Sequence, residues 1–259
     1  MLTKLICSLL LLAGTVSVHA ESLHAFQYGT IDALLAGAFE GELTVKELEN
    51  KGDFGIGTYN RIDGEMILVD GIAYKAKSDG TVTLADTSEK IPFAVATTFK
   101  PTITFTENVP ATLQQLEQML DAKLANINGF YAIRLQGKFK QISTRAISPQ
   151  NKPYKTLAEV AKTQSVFNFT DTSGELIAFR SPPFSKGFNV PGYHWHFLST
   201  DKKQGGHVLS LTLESYTVSI MPLFDIDLKI PNNVSFANTN QTIDRAAELK
   251  TVESARKGN

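Results

Sequence analysis

The spacing of polar and apolar positions changes along this chain, and the changes mark its elements. Thr44 ("TVKE"), Thr112 ("TLQQ") and Thr156 ("TLAE") each precede a Glu or Gln by three residues. That spacing predicts three helix starts, because the two side chains satisfy each other's free backbone N–H groups. Beyond Thr112, Leu113, Leu116, Leu120 and Leu124 recur at helical spacing, with Gly129 as the expected stop. A further helix is expected over residues 31–39. Elsewhere the period is two. "GTYNRIDGEMILVDGIAYKA" reads as three strands joined by two Asp-Gly turns. "FYAIRLQGKFKQISTRAIS" alternates so that Tyr131, Ile133, Leu135 and Phe139 share one face, which Arg145 continues. "ELIAFRSP", "YHWHFLS", "HVLSLTLESYTVSIM" and "FDIDLKIP" are further strands. The last three leave little room for helices between them, so antiparallel pairing is expected.

The fold class these elements predict is mixed α/β (α+β). An N-terminal half, residues 21–150, carries a mixed sheet with covering helices, and residues 151–259 form a mostly antiparallel β domain with a C-terminal tail. The boundary is expected in the polar, proline-containing stretch 148–155, with strand pairing across it left open.

The first twenty residues stand apart. Lys4, the apolar run from Leu5 to Val16 and the ending Val18-His19-Ala20 have the layout of a secretory signal peptide cut after Ala20. That places the mature protein outside the cytoplasm, in periplasm or medium. No later stretch is long enough to span a bilayer. The single cysteine, Cys7, lies in the leader. The mature chain therefore has neither disulfides nor thiolate ligands, and any metal must be held by nitrogen and oxygen. The formal net charge is −1, with no basic stripe or acidic block. Nucleic acid and anionic membrane are not expected partners.

Three of the five histidines, His194, His196 and His207, fall within "PGYHWHFLSTDKKQGGHV". Residues two apart on a strand point the same way, with Cα atoms roughly 6.5–7 Å apart. His194 and His196 can therefore converge on one ion, leaving Trp195 for a core on the opposite side. A plain hairpin leaves His207 out of register with His196, so Gly205 and Gly206 are expected to permit a fold-back. For a lone His-x-His, a pair of ordinary polar strand residues is an equal alternative. The third histidine favours a divalent metal, and three imidazoles leave positions for water or substrate. Arg145 reads either as a residue emerging into solvent or a structural ion pair, or as a planar fork for a carboxylate.

"NVPGYHWHFLSTDKKQGGHVLSL" resembles the metal-binding segment of the α-acetolactate decarboxylases. "FQYGTIDALLAGAFEGELTVKEL", "GDFGIGTYNRIDGEMI" and "PFAVATTF" resemble that family's N-terminal half in order and spacing. The resemblance implies zinc (Zn2+) on His194, His196 and His207, with roles for Glu65, Arg145 and Glu253. It implies a homodimer that decarboxylates the small molecule 2-acetolactate to (R)-acetoin. In such a reaction the metal chelates the hydroxyl and ketone oxygens and stabilises an enediolate, which Glu65 or Glu253 then helps protonate. Without the resemblance, both glutamates read as solvated surface residues. Two competitors remain. One is a cupin-like metal dioxygenase, in which Asp201 supplies a carboxylate; the other is a non-catalytic extracytoplasmic metal- or sugar-binding domain.

Overall fold

A computed structural model describes residues 23–253, so the leader, Cys7 and the last six residues lie outside the described residues. In chain order the elements are β1 (His24–Tyr28), α1 (Ile31–Leu35), β2 (Leu43–Thr44), α2 (Val45–Glu49), β3 (Phe54–Thr58), β4 (Glu65–Val69) and β5 (Ile72–Ala76). There follow β6 (Val82–Leu84), β7 (Lys90–Ile91), β8 (Phe93–Thr97), β9 (Ile103–Glu107), β10 (Ala111–Thr112), α3 (Leu113–Lys123) and β11 (Phe130–Ala146). The C-terminal part comprises α4 (Leu157–Val160), β12 (Ser165–Ser181), β13 (Gly192–Ser199), β14 (Gly205–Leu223), β15 (Asp225–Lys229), α5 (Val234–Ala237) and α6 (Ala246–Glu253). Among the described residues no helix is long and apolar enough to cross a membrane.

The mixed α/β class holds. One sheet has seven strands in the order β15-β1-β8-β3-β4-β5-β6, and a second is built on β10-β14-β11-β12-β13 with β9 on β14. Both follow from the alternation of apolar residues. Ile56 and Ile67 of the first sheet and Ala132, Ile177 and Leu198 of the second turn inward into one shared core. The outer face of the first sheet packs Met66 and Leu68 against Val45 and Leu48 of α2. The outer face of the second packs Trp195, Ile133 and Leu135 against Leu116 and Leu120 of α3. All three expected capping boxes are present, at Thr44, Thr112 and Thr156.

Several local expectations are corrected. The helix at residue 31 stops at Leu35 rather than 39, ahead of Gly37 with its φ of 96°. The helix α3 stops at Lys123, well before Gly129, because Leu124 has already turned to extended backbone. Asp70-Gly71 makes the expected tight turn, both residues at positive φ. Asp63-Gly64 does not: Thr58 pairs with Glu65, and a short 3-10 segment fills the connection. The pairing across the stretch 148–155 that the sequence left open is present, since β11 on one side pairs along its length with β12 on the other. Finally, "FDIDLKIP" leaves its antiparallel neighbours. As β15 it runs parallel to β1, closing the first sheet with a strand from the far end of the chain.

The face assigned to Arg145 is also corrected. Phe139 and Ile142 belong to the same outer core although they are three positions apart. The alternation therefore inverts at Lys140, opposite Asp171 with its φ of 50°. Beyond that point Arg145 falls on the opposite face from Tyr131 and turns towards the first sheet, as does Ile147 in the shared inner core.

Candidate metal centre

The strands β13 and β14 form a hairpin in which His196 pairs directly with His207, and Leu198 with Gly205. The offset of a plain hairpin is thus removed, as the glycine pair was expected to permit. The connection closes with Ser199 N–H donating to the Gln204 carbonyl at 2.9 Å, which brings the two histidines opposite each other. Gly206 makes this possible. Its φ is 135°, and a Cβ there would lie 2.6 Å from the Arg145 carbonyl oxygen, so the strand backbones could not approach as they do with any larger residue.

His194, His196 and His207 turn into the space between the sheets. Their ring centroids lie 5.0, 5.1 and 5.5 Å apart, and one nitrogen from each lies within 4.8 Å of the others. His196 Nδ1 is 2.7 Å from the Met66 carbonyl oxygen, which makes Nδ1–H the donor and leaves Nε2 with its lone pair. Among the described residues His196 Nε2 and His207 Nδ1 are buried without a hydrogen-bond partner. Burial, with lesser repulsion from Arg145, lowers His194 to about 3. His196 and His207 are held well below their ordinary value for the same leading reason. Near neutral pH the three rings are uncharged, the form that ligates a metal.

Two acids and one base complete the pocket. Arg145 Nη1 donates to Glu65 Oε1 at 2.9 Å, a pair only 5% and 8% exposed. Arg145 Nε has no hydrogen-bond partner. Glu65 Oε2 lies 3.6 Å from His196 Nε2, and Glu253 Oε2, arriving on α6, lies 3.5 Å from His207 Nε2. Burial pushes Glu65 up to about 7, against the opposing pull of Arg145. Burial likewise pushes Glu253 up to about 7, with Arg145 again opposing. Six residues predicted from sequence therefore meet in one place. Asp201 does not join them. It is exposed and accepts from Ser199 Oγ at 2.6 Å within the hairpin connection, which removes the carboxylate a cupin-like site needs.

Between the glutamates lies a cavity of about 30 Å³, walled by Leu34, Ile62, Phe93, Leu157 and Val252 as well as by Arg145 and His194. The sequence did not point to this apolar wall. Its members come from distant elements, and each is individually an ordinary core residue. The Met66 carbonyl was equally invisible, being backbone.

The chain carries the alpha-acetolactate decarboxylase family signature over residues 25–242. Its sequence is 41% identical over 232 residues to an alpha-acetolactate decarboxylase of Brevibacillus brevis, covering 90% of this chain and 81% of the relative. The chain belongs to the alpha-acetolactate decarboxylase family. A Bacillus subtilis (strain 168) member is 38% identical over 229 residues, covering 88% of this chain and 90% of that one. The crystal structure of alpha-acetolactate decarboxylase from the same strain superimposes with a TM-score of 0.88, over 90% of this chain and all of that one. The family likeness thus spans both sheets and the hairpin with the three histidines.

Proposed function

We propose that this chain decarboxylates 2-acetolactate to (R)-acetoin with zinc held by His194, His196 and His207. The observation that carries the reading is the meeting of three neutral imidazoles with a buried Arg145–Glu65 pair and Glu253 in one narrow pocket. The residues fit a metal: nitrogen donors only, uncharged, with His196 oriented by a backbone carbonyl. A divalent ion bound there supplies Lewis-acid stabilisation of negative charge growing on the substrate's oxygens.

The chain's own groups do the rest. Breaking the bond to the carboxyl group releases carbon dioxide and leaves an electron pair delocalised into the ketone as an enediolate. Arg145, fixed by Glu65, turns its unpartnered Nε–H towards that charge and can hold the departing carboxylate beforehand. The carbon must then gain one proton. Burial raises both carboxyl groups, which favours the acid form that can give that proton. The apolar wall leaves little room for water, which strengthens each of these interactions. Export through the leader and assembly as a homodimer belong to the same reading.

The test is to measure acetoin released from 2-acetolactate by purified protein together with its metal content. Acetoin formation should track bound zinc. Full turnover in metal-free protein would falsify the assignment of the three histidines.

A further inference from the structure

The pocket is narrow and its polar groups are mostly buried. Glu65, Arg145, His196 and His207 are each at least nine-tenths buried, and 30 Å³ is room for roughly one water molecule. A branched hydroxy-oxo acid does not fit without movement. Two of the walls, Val252 and Glu253, belong to α6, and Glu253 also lines a far larger groove of about 970 Å³ on the outside. The helix α6 is therefore the partition between groove and pocket. The other walls include strands in the middle of sheets, whereas α6 is eight residues long and is seated chiefly by Leu249 and Val252.

The groove has unfilled polar groups of its own. Among the described residues Ser181 Oγ and Arg245 Nε lack a hydrogen-bond partner, both residues are at least nine-tenths buried, and both line this one groove beside Arg180, whose Nε lies 3.4 Å from Asp121 Oδ1. Buried donors left unmet are costly and point to a missing acceptor. The acids nearby are engaged: Asp121 accepts from Tyr193 at 2.8 Å and pairs with Arg180 Nε, Glu117 accepts from Trp195 at 3.0 Å, and Glu248 accepts from Arg245 Nη1 at 2.9 Å, which leaves Arg245 Nε free.

We infer that the groove is an outer subsite for a small organic carboxylate, held by Ser181 and Arg245, from which the acid passes to the histidines when α6 swings aside. The inference rests on the proposed function only for the identity of that acid, 2-acetolactate. It also gives the traffic a direction. The substrate arrives as an anion and is drawn to the guanidinium groups, while acetoin and carbon dioxide leave uncharged and are not held there.

Two measurements on the full chain, in a Cys7→Ser background, test this. Leu34→Cys places a reporter thiol on the pocket wall, and Leu249→Ala loosens the seat of α6. The second change should speed labelling of the thiol at least about tenfold without an equal rise in global unfolding. Labelling that does not rise, or rises only in step with global unfolding, overturns the gate. Arg245→Gln should raise KM for 2-acetolactate about three- to tenfold at low salt with kcat preserved, the difference shrinking at high salt. An unchanged KM overturns the subsite. If the unaltered protein makes no acetoin, the decarboxylation reading fails instead, and the thiol experiment still reads the gate.

Discussion

Replacing Arg145 by Met removes a charge from a place where two carboxyl groups depend on it, and the cost can be worked out with its sign. In the intact metal-free protein Glu65 titrates near 7, against 4.5 when unburied. Between those values the folded protein holds a proton that the unfolded chain has lost. The stability this group contributes is therefore full below about 4.5 and falls as pH rises to about 7. Each pH unit is worth about 1.4 kcal/mol, or roughly 3 kcal/mol across the window. Above 7 the loss stops, because Arg145 accepts the charge. Without the guanidinium nothing stops it: the folded-state value climbs, and the decline continues above 7. Glu253, also near 7 and also pulled down by Arg145, behaves alike. At pH 8 the Arg145→Met protein should thus lose about 1.5–3 kcal/mol more, relative to the intact protein, than at pH 6. Met has a similar length and packs alike at both pH values, so its packing cost cancels in the comparison. Urea unfolding of both metal-free proteins at pH 6 and 8 measures this. A difference between the two proteins that is the same at both pH values would refute the coupling of Arg145 to the buried carboxyl groups.

Four further outcomes are expected. Chelation should abolish acetoin formation and zinc should restore it; unchanged turnover after complete removal of the metal would take the three histidines out of the reaction. Gly206→Ala should destabilise the fold by about 1–3 kcal/mol and weaken zinc binding, since its Cβ meets the Arg145 carbonyl at 2.6 Å; an unaltered thermal midpoint and zinc affinity would show that the hairpin relaxes freely. Glu253→Gln should lower kcat by about 10²-fold or more with a small shift in melting temperature, and near-normal turnover would remove this group from the proton transfer. Asp201→Asn should leave zinc content and turnover unchanged, as befits an exposed group that braces a turn; metal loss would revive the cupin-like arrangement.

What could be read from the sequence was what short-range rules govern. Capping boxes are decided within four residues, and all three form. His194 and His196 were legible because one strand fixes their common direction, and His207 because it stands so near a chain otherwise poor in histidine. Register was not legible. Whether His196 faces His207 depends on how a six-residue connection closes and on a glycine pressed against another strand. The side on which Arg145 emerges depended on an inversion at Lys140 and Asp171, which strict alternation does not foresee. Glu65 and Glu253 were recognisable only by family likeness. One follows a turn, the other sits in a polar tail, and nothing local distinguishes them from solvated glutamates.

The pairing of β1 with β15 sets an order on assembly. His24 lies beside Asp225 in the sheet, so almost the whole chain must be made before the first strand gains its outer neighbour. Contacts of such long sequence separation form late, since the intervening loop must close before they are rewarded. Glu253 lies farther along still, which makes the seating of α6 the natural last event. A chain released short of residue 225 would present β1 as an open edge, inviting association with other incomplete copies. Synthesis and catalysis are in this way linked: the segment that completes the sheet leads directly into the one that brings the final acid to the histidines.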